Sequence, residues 1–106
     1  ERPPMAFPTD ADAFSREYGC TEAEWRGWLR GPAVGEVPAT PLGADAARVT
    51  LAEGHLSLRW TVLPERRIAL VRLPRLQVDF RFEGVPLAQR QAWLKRFDLH
   101  TQRGGG

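Results

Sequence analysis

Residues 48–82, RVTLAEGHLSLRWTVLPERRIALVRLPRLQVDFRF, decide how the rest of the chain must be read. Apolar and polar residues alternate here with a period of two, the pattern of strands with one buried face. The predicted strands are 48–52, 55–63, 68–73 and 76–82, with turns at Glu53-Gly54, Pro64–Arg67 and Pro74-Arg75. Runs so close together predict an antiparallel meander. Pairing residue 51 with 56, 63 with 68 and 73 with 76 puts Val49, Leu51, Leu56, Leu58, Trp60, Val62, Ala69, Val71, Leu73, Leu76, Val78, Phe80 and Phe82 on a single face. Slipping the register by one residue divides that set between two faces.

The same pairing arranges the outer face. Arg48 falls opposite Arg59, and Arg59 opposite Arg72, so three guanidinium groups lie abreast, with Arg81 extending the patch. Like charges directly opposed destabilise a sheet. An anion would relieve them: a phosphate, a nucleic-acid backbone or the carboxylates of another protein. Water and a neighbouring Asp79 or Glu53 would relieve them too. Leu63, Ile68 and Leu70 share this face, which is therefore expected to dock another protein, a second copy of the chain, or the chain's own residues 31–47. It carries no aromatic residue on which nucleic-acid bases could stack.

Helices flank the strands. Thr9 and Asp12 form a capping box for a helix over 10–18, which Gly19 ends. Thr21 and Glu24 form a second box, and Trp25, Trp28 and Leu29 share one face of a helix that stops at Gly31-Pro32. Residues 31–47 are rich in Gly, Pro and Ala and read as an irregular crossing segment. Gly84 breaks the last strand, and Pro86 opens a helix reaching Phe97. Its apolar arc is Leu87, Trp93, Leu94 and Phe97; Arg90 sits within that arc, its stem on the core and its head directed outward. The expected fold is a two-layer α+β domain: a four-stranded antiparallel meander with two N-terminal helices and one C-terminal helix packed on one face. Residues 1–9 read as a disordered leader, 10–100 as the domain and 101–106 as a flexible Gly-rich tail; Met5 reads as a natural start.

Residues 14–29, FSREYGCTEAEWRGWL, resemble a helix-turn-helix, with Gly19 at the turn and Cys20 buried in it. The resemblance implies that Thr21, Glu22, Arg26 and Arg30 face the DNA major groove. Glu22 and Glu24 at the start of the second helix would repel phosphate, and too little chain precedes the first helix to supply a third. Packing of the aromatic faces is the preferred reading, and DNA binding through Thr21, Arg26 and Arg30 the alternative.

A chain of 106 residues makes one domain. No apolar run is long enough to span a bilayer, and ERPPMAFPTD has no signal-peptide core. One cysteine cannot form an internal disulfide. Together these predict a cytoplasmic protein with no membrane partner. The net charge of +2 is unevenly spread: residues 1–58 hold five arginines against nine acids, residues 59–106 ten basic residues against four acids. That asymmetry suits either an acidic partner or attraction between the halves. Cys20, His55 and His100 stand apart, without a metal-ligand spacing or a nearby base. No metal, cofactor or catalytic residue is expected.

The chain ends QRGGG, which resembles the tail of ubiquitin-like sulfur carriers; that resemblance implies a carboxylate activated at Gly106, although here the tail follows a helix. The ends taken together, FPTDADAF…GCTEAEW and KRFDLHTQRGGG, resemble a family of small bacterial proteins with no assigned activity. The expectation is a non-enzymatic accessory domain that docks a protein or an anionic surface through Arg48, Arg59, Arg72 and Arg81.

Overall fold

A computed structural model describes residues 12–101. The leader, the capping residue Thr9 and residues 102–106 with the tail's Gly106 lie outside that range. The elements run β1 (Ala13–Tyr18), α1 (Glu22–Arg30), β2 (Thr40–Pro41), β3 (Ala46–Thr50), β4 (His55–Ile68), β5 (Val71–Glu83) and α2 (Leu87–Thr101). They form one antiparallel five-stranded sheet in the order β1-β5-β4-β3-β2. The α+β class is as the sequence predicts; five strands and two helices replace the expected four and three.

The first expected helix is a strand. Along AFSREY, Phe14, Arg16 and Tyr18 are partly buried while Ala13, Ser15 and Glu17 are exposed. A spacing of four fits a helix turn and two strand periods equally well. The free edge of β5 decides between them: all six residues of β1 pair with it, from Ala13↔Arg81 to Tyr18↔Leu76. Gly19 thus follows a strand. The second helix forms as the sequence dictates. Thr21 accepts from the Glu24 amide, Glu24 returns the bond to the Thr21 amide, and the Gly31 amide closes the far end on Trp28.

The meander is also rebuilt. Two of its three turns do not exist: Pro64 and Pro74 lie inside β4 and β5, which form one long hairpin turning at Ala69-Leu70. Proline is tolerated there because β3 pairs with β4 only as far as Arg59, and β1 with β5 only as far as Leu76. The register is Thr50↔His55 between β3 and β4, and His55↔Glu83 through Leu63↔Arg75 between β4 and β5. From Leu63↔Arg75 to Arg66↔Leu73, β4 takes three steps against two, a one-residue bulge at Pro64-Glu65. Beyond it β4 changes face, and Arg67 pairs with Arg72.

The hairpin therefore has a covered half and a bare half. Leu56, Leu58, Trp60, Leu76, Val78, Phe80 and Phe82 are buried, as the register test expects, together with Val49 of β3. Val62, Ala69, Val71 and Leu73, expected on the same buried face, are exposed, and Leu51 is half-buried. Both helices cover the first half. Trp25 of α1 meets Trp60, and on α2 Phe97 meets Phe80 and Trp93 meets Phe82. Trp25 also meets Tyr18, Trp28 and Phe97, so the strand edge, both helices and the sheet share one aromatic contact set. Truncating such a ring typically costs about 3–5 kcal/mol.

On α2, Trp93, Leu94, Phe97 and Thr101 are buried, while Leu87 is exposed and contributes less than its place in the sequence suggests. The helix extends through Thr101, whose hydroxyl donates to the Phe97 carbonyl. Arg90 is turned further inward than expected. Its side chain is only 11% exposed, it reaches Asp12 beside β1, and its Nε is buried with no partner among the described residues.

The β3–β4 turn packs against the end of β5. Gly54 has φ +74°, and a Cβ there would lie 2.2 Å from the Glu83 carbonyl oxygen. Gly54→Ala is expected to lower stability by about 2–4 kcal/mol. Gly27→Ala in α1, where an added Cβ meets nothing within 4 Å, should instead raise it by about 0.5–1 kcal/mol. Urea midpoints of the two variants, moving in opposite directions, check both.

Candidate functional site

With both helices on one side, no helix covers the other face of the sheet among the described residues. Its cross-strand rows can be read from the register. Ser15, Asp79, Arg59 and Ala46 form one row; Ala13, Arg81, Ser57, Arg48 and Thr40 form the next. A shallow open basin of about 740 Å³ lies over them, lined by Ser15, Ser57, Arg59, Asp79 and Arg81 and flanked by Leu42.

The expected arginine row is corrected here. Arg48 faces Ser57 rather than Arg59, because the β3–β4 connection takes residues 51–54 and not only Glu53-Gly54, which moves the pairing by two. The shift is even, so Arg48 and Arg59 keep their face and become diagonal neighbours. Arg81 is drawn in from the far end and also neighbours Arg59 diagonally. Arg72 leaves the patch: it pairs with Arg67 near the hairpin tip, seven residues along β5 from Asp79 and so about 23 Å away. The structure gathers Arg48, Arg59 and Arg81 and separates Arg72 from them.

Asp79 stands opposite Arg59 but makes no ion pair with it. Its Oδ1 accepts from Ser15 Oγ at 2.5 Å and from Gln77 Nε2 at 3.4 Å. Glu53 is likewise occupied, accepting from Gln89 at 2.8 Å. Arg81 donates to Glu83 at 3.1 Å, and Glu83 also contacts His55 at 3.2 Å. Arg48 and Arg59 have no hydrogen bond or ion pair among the described residues. Other arginines do find acids across the two halves of the chain. Arg75 holds Glu17 at 2.8 Å, Arg90 reaches Asp12, and Arg16 holds Asp98 at 2.6 Å. Attraction between the halves thus consumes part of the charge asymmetry and leaves the basin cationic.

Residues 31–47 do not cover this face as a lid. The Ala39 amide bonds to the Leu29 carbonyl, Val34 is buried and accepts from Trp93 Nε1 at 3.2 Å, and Thr40-Pro41 joins the sheet edge beside β3. Leu42 marks the basin's margin.

The helix-turn-helix is absent, since its first helix is β1. Thr21 is spent on the helix cap. Arg26 lies over the Trp60 ring, its guanidinium carbon 5.3 Å from the centroid, and donates to Glu22 and to the Ala44 carbonyl. Glu22 in turn accepts from Trp60 Nε1 at 2.9 Å. This network fastens α1 to the sheet. Arg30 is exposed at the end of α1, beside a notch of about 90 Å³ that Arg26 and Pro41 also line.

Among the described residues no three His, Cys, Asp or Glu side chains gather where they could hold a metal ion. Cys20 is buried, and burial, with the charge of Glu24 adding to it, pushes its thiol up to about 11. No helix among the described residues is long and apolar enough to cross a membrane.

No protein-family model and no curated protein matches the chain.

Two outcomes follow from these environments. The Cys20 thiol stays protonated at pH 8, so a disulfide-exchange reagent should label the native chain on the order of a hundredfold more slowly than the urea-unfolded chain. Bonds from Trp60 and then Arg26 hold the Glu22 carboxyl below its ordinary value. The unfolded chain therefore takes up more protons on acidification, and the stabilisation, full above the ordinary carboxylate value, disappears as pH falls through the folded one. Glu22→Gln should flatten the loss of stability below about pH 4, measured by denaturant titration across the acid range.

Proposed function

We propose that the chain is a non-enzymatic binding domain whose uncovered sheet face docks an acidic segment of another protein. Arg48 and Arg59 supply the charge and Arg81 supports them. One observation carries this reading: Arg59 lies in the floor of an open basin, directly across the ladder from Asp79 yet without an ion pair to it among the described residues. A guanidinium so placed keeps its in-plane donors for an incoming carboxylate. Ser57 and the rim of Leu42 add a hydroxyl and an apolar contact for the same segment. A single buried thiol suits the reducing cytoplasm, where we place the protein.

The basin lies on strands paired along both sides, so it is rigid before anything binds, and pre-organisation lowers the entropy cost of docking. Nucleic acid is less well served. Among the described residues the face has no ring for base stacking, and the helix expected to precede the groove-reading one is a strand.

Binding of a fluorescein-labelled oligoglutamate peptide, followed by anisotropy at low salt, tests the reading. Arg59→Glu should weaken binding by about tenfold or more. Arg96→Glu, the same charge change on the exposed side of α2, should leave it within about twofold. Equal affinity of the Arg59→Glu variant and the unmodified chain would remove the sheet face from consideration.

A further inference from the structure

Beyond the Pro64-Glu65 bulge the β4–β5 hairpin continues as a bare two-stranded arm. Its tip is Ile68, Ala69, Leu70 and Val71, four apolar residues in succession. Leu70 is 99% exposed, Ile68 54% and Val71 53%. Immediately behind them stand Arg67 and Arg72, paired across the ladder, and then Arg66 opposite Leu73. Arg67 and Arg72 hold no hydrogen bond or ion pair among the described residues. We propose that this tip is a peripheral anchor that inserts into the interface of an anionic lipid bilayer.

Three features choose that occupant. The apolar residues lie at the end of the arm and on one side of it: Leu70 caps the end, Ile68 and Val71 pair on one side, and the cross-strand pair Arg67 and Arg72 takes the other. A tip that is apolar at its extremity with cations just behind matches a bilayer interface, where acyl chains lie beneath anionic phosphates. A two-stranded arm is also too narrow to supply the 1,200 Å² or so of a stable protein interface.

The charges sit at the right depth. From the Arg67–Arg72 row to the turn is two ladder steps, about 7 Å, within the roughly 5–10 Å to which interfacial segments sink. With the tip among acyl chains, both guanidinium groups reach lipid phosphates, which relieves their opposition across the ladder. Arg66 adds a third positive charge beside them, and its field already reaches Glu17.

The turn itself points the same way. Two-residue hairpin turns ordinarily use Asn-Gly or Asp-Gly, because the first position needs a left-handed backbone. Here Ala69 takes it at φ 55°, the one non-glycine residue to do so among the described residues. The chain tolerates a strained alanine and keeps polar groups off the tip. The absence of a spanning helix bears on crossing a membrane and not on resting in its surface.

The full chain is to be sedimented with vesicles of phosphatidylcholine alone and of phosphatidylcholine mixed with phosphatidylglycerol. Binding is expected to the mixed vesicles, to fall with added salt, and to be weak on the neutral ones. Leu70→Asp and the double variant Arg67→Glu/Arg72→Glu should each lower it by at least about tenfold, while Arg96→Glu should not. These substitutions lie outside the core, and circular dichroism confirms that the variants are folded. An environment-sensitive dye on Leu70→Cys, with Cys20 buried and slow to label, should shift to the blue on the mixed vesicles. Failure of the unmodified chain to bind mixed vesicles at low salt overturns the proposal. So does a Leu70→Asp variant that binds as well as the unmodified chain. A dimer that Leu70→Asp dissolves, without vesicle binding, would assign the arm to self-association instead.

Discussion

The pairing of β4 with β5 is the constraint from which the rest of this architecture follows. Its register, set by His55 opposite Glu83, fixes which residues of both strands face the helices. It also gives β5 a free edge over Leu76–Arg81, and that edge turns AFSREY into a strand rather than a helix. Burial then ends where the flanking strands end. Up to Trp60 and Leu76 the ladder is covered by Trp25, Trp93 and Phe97; beyond Leu63 no third strand pairs with it among the described residues. One continuous interaction thus creates a core, a bare sheet face and a projecting arm.

Much of the core was legible because a two-residue period survives errors in turn length. Moving the β3–β4 register by an even step left Val49, Leu56, Leu58 and Trp60 on their face, and all four are buried. The Thr21–Glu24 box was legible for a different reason: its chemistry is local and needs nothing from the rest of the fold. What the sequence concealed was long-range. Pro64 and Pro74 have the composition of turns, and only the missing neighbours on either side explain why they can sit in strands. Phe14 and Tyr18 fit two periodicities at once. Arg16, which breaks the apolar strand pattern, lies 5.6 Å from the centroids of Phe14 and Phe80 and holds Asp98, so it belongs to the packed face after all.

The candidate site was half legible for the same reason. Arg48 and Arg59 flank the one expected turn that forms, and its even shift of register keeps them neighbours on one face. Arg72 depended on the Pro64–Arg67 turn, which does not form, and it pairs with Arg67 near the hairpin tip. Arg81 joined the basin because β5 runs back the whole length of β4. Ser15 could not have been placed there without recognising β1. The alternation of Ala13, Ser15 and Glu17 with bulkier residues was the available signal.

The two prolines have a consequence for how this chain behaves in a crowded solution. A bare ladder offers unpaired amide donors along each side, an invitation to further strands and finally to fibrils. Pro64 and Pro74 each delete a donor from such a side, and the extra residue at Pro64-Glu65 twists the ribbon where a foreign strand would have to lie flat. The mutual repulsion of Arg67 and Arg72 adds an electrostatic barrier between like arms. A segment that would otherwise seed aggregation is in this way kept single, extended and available.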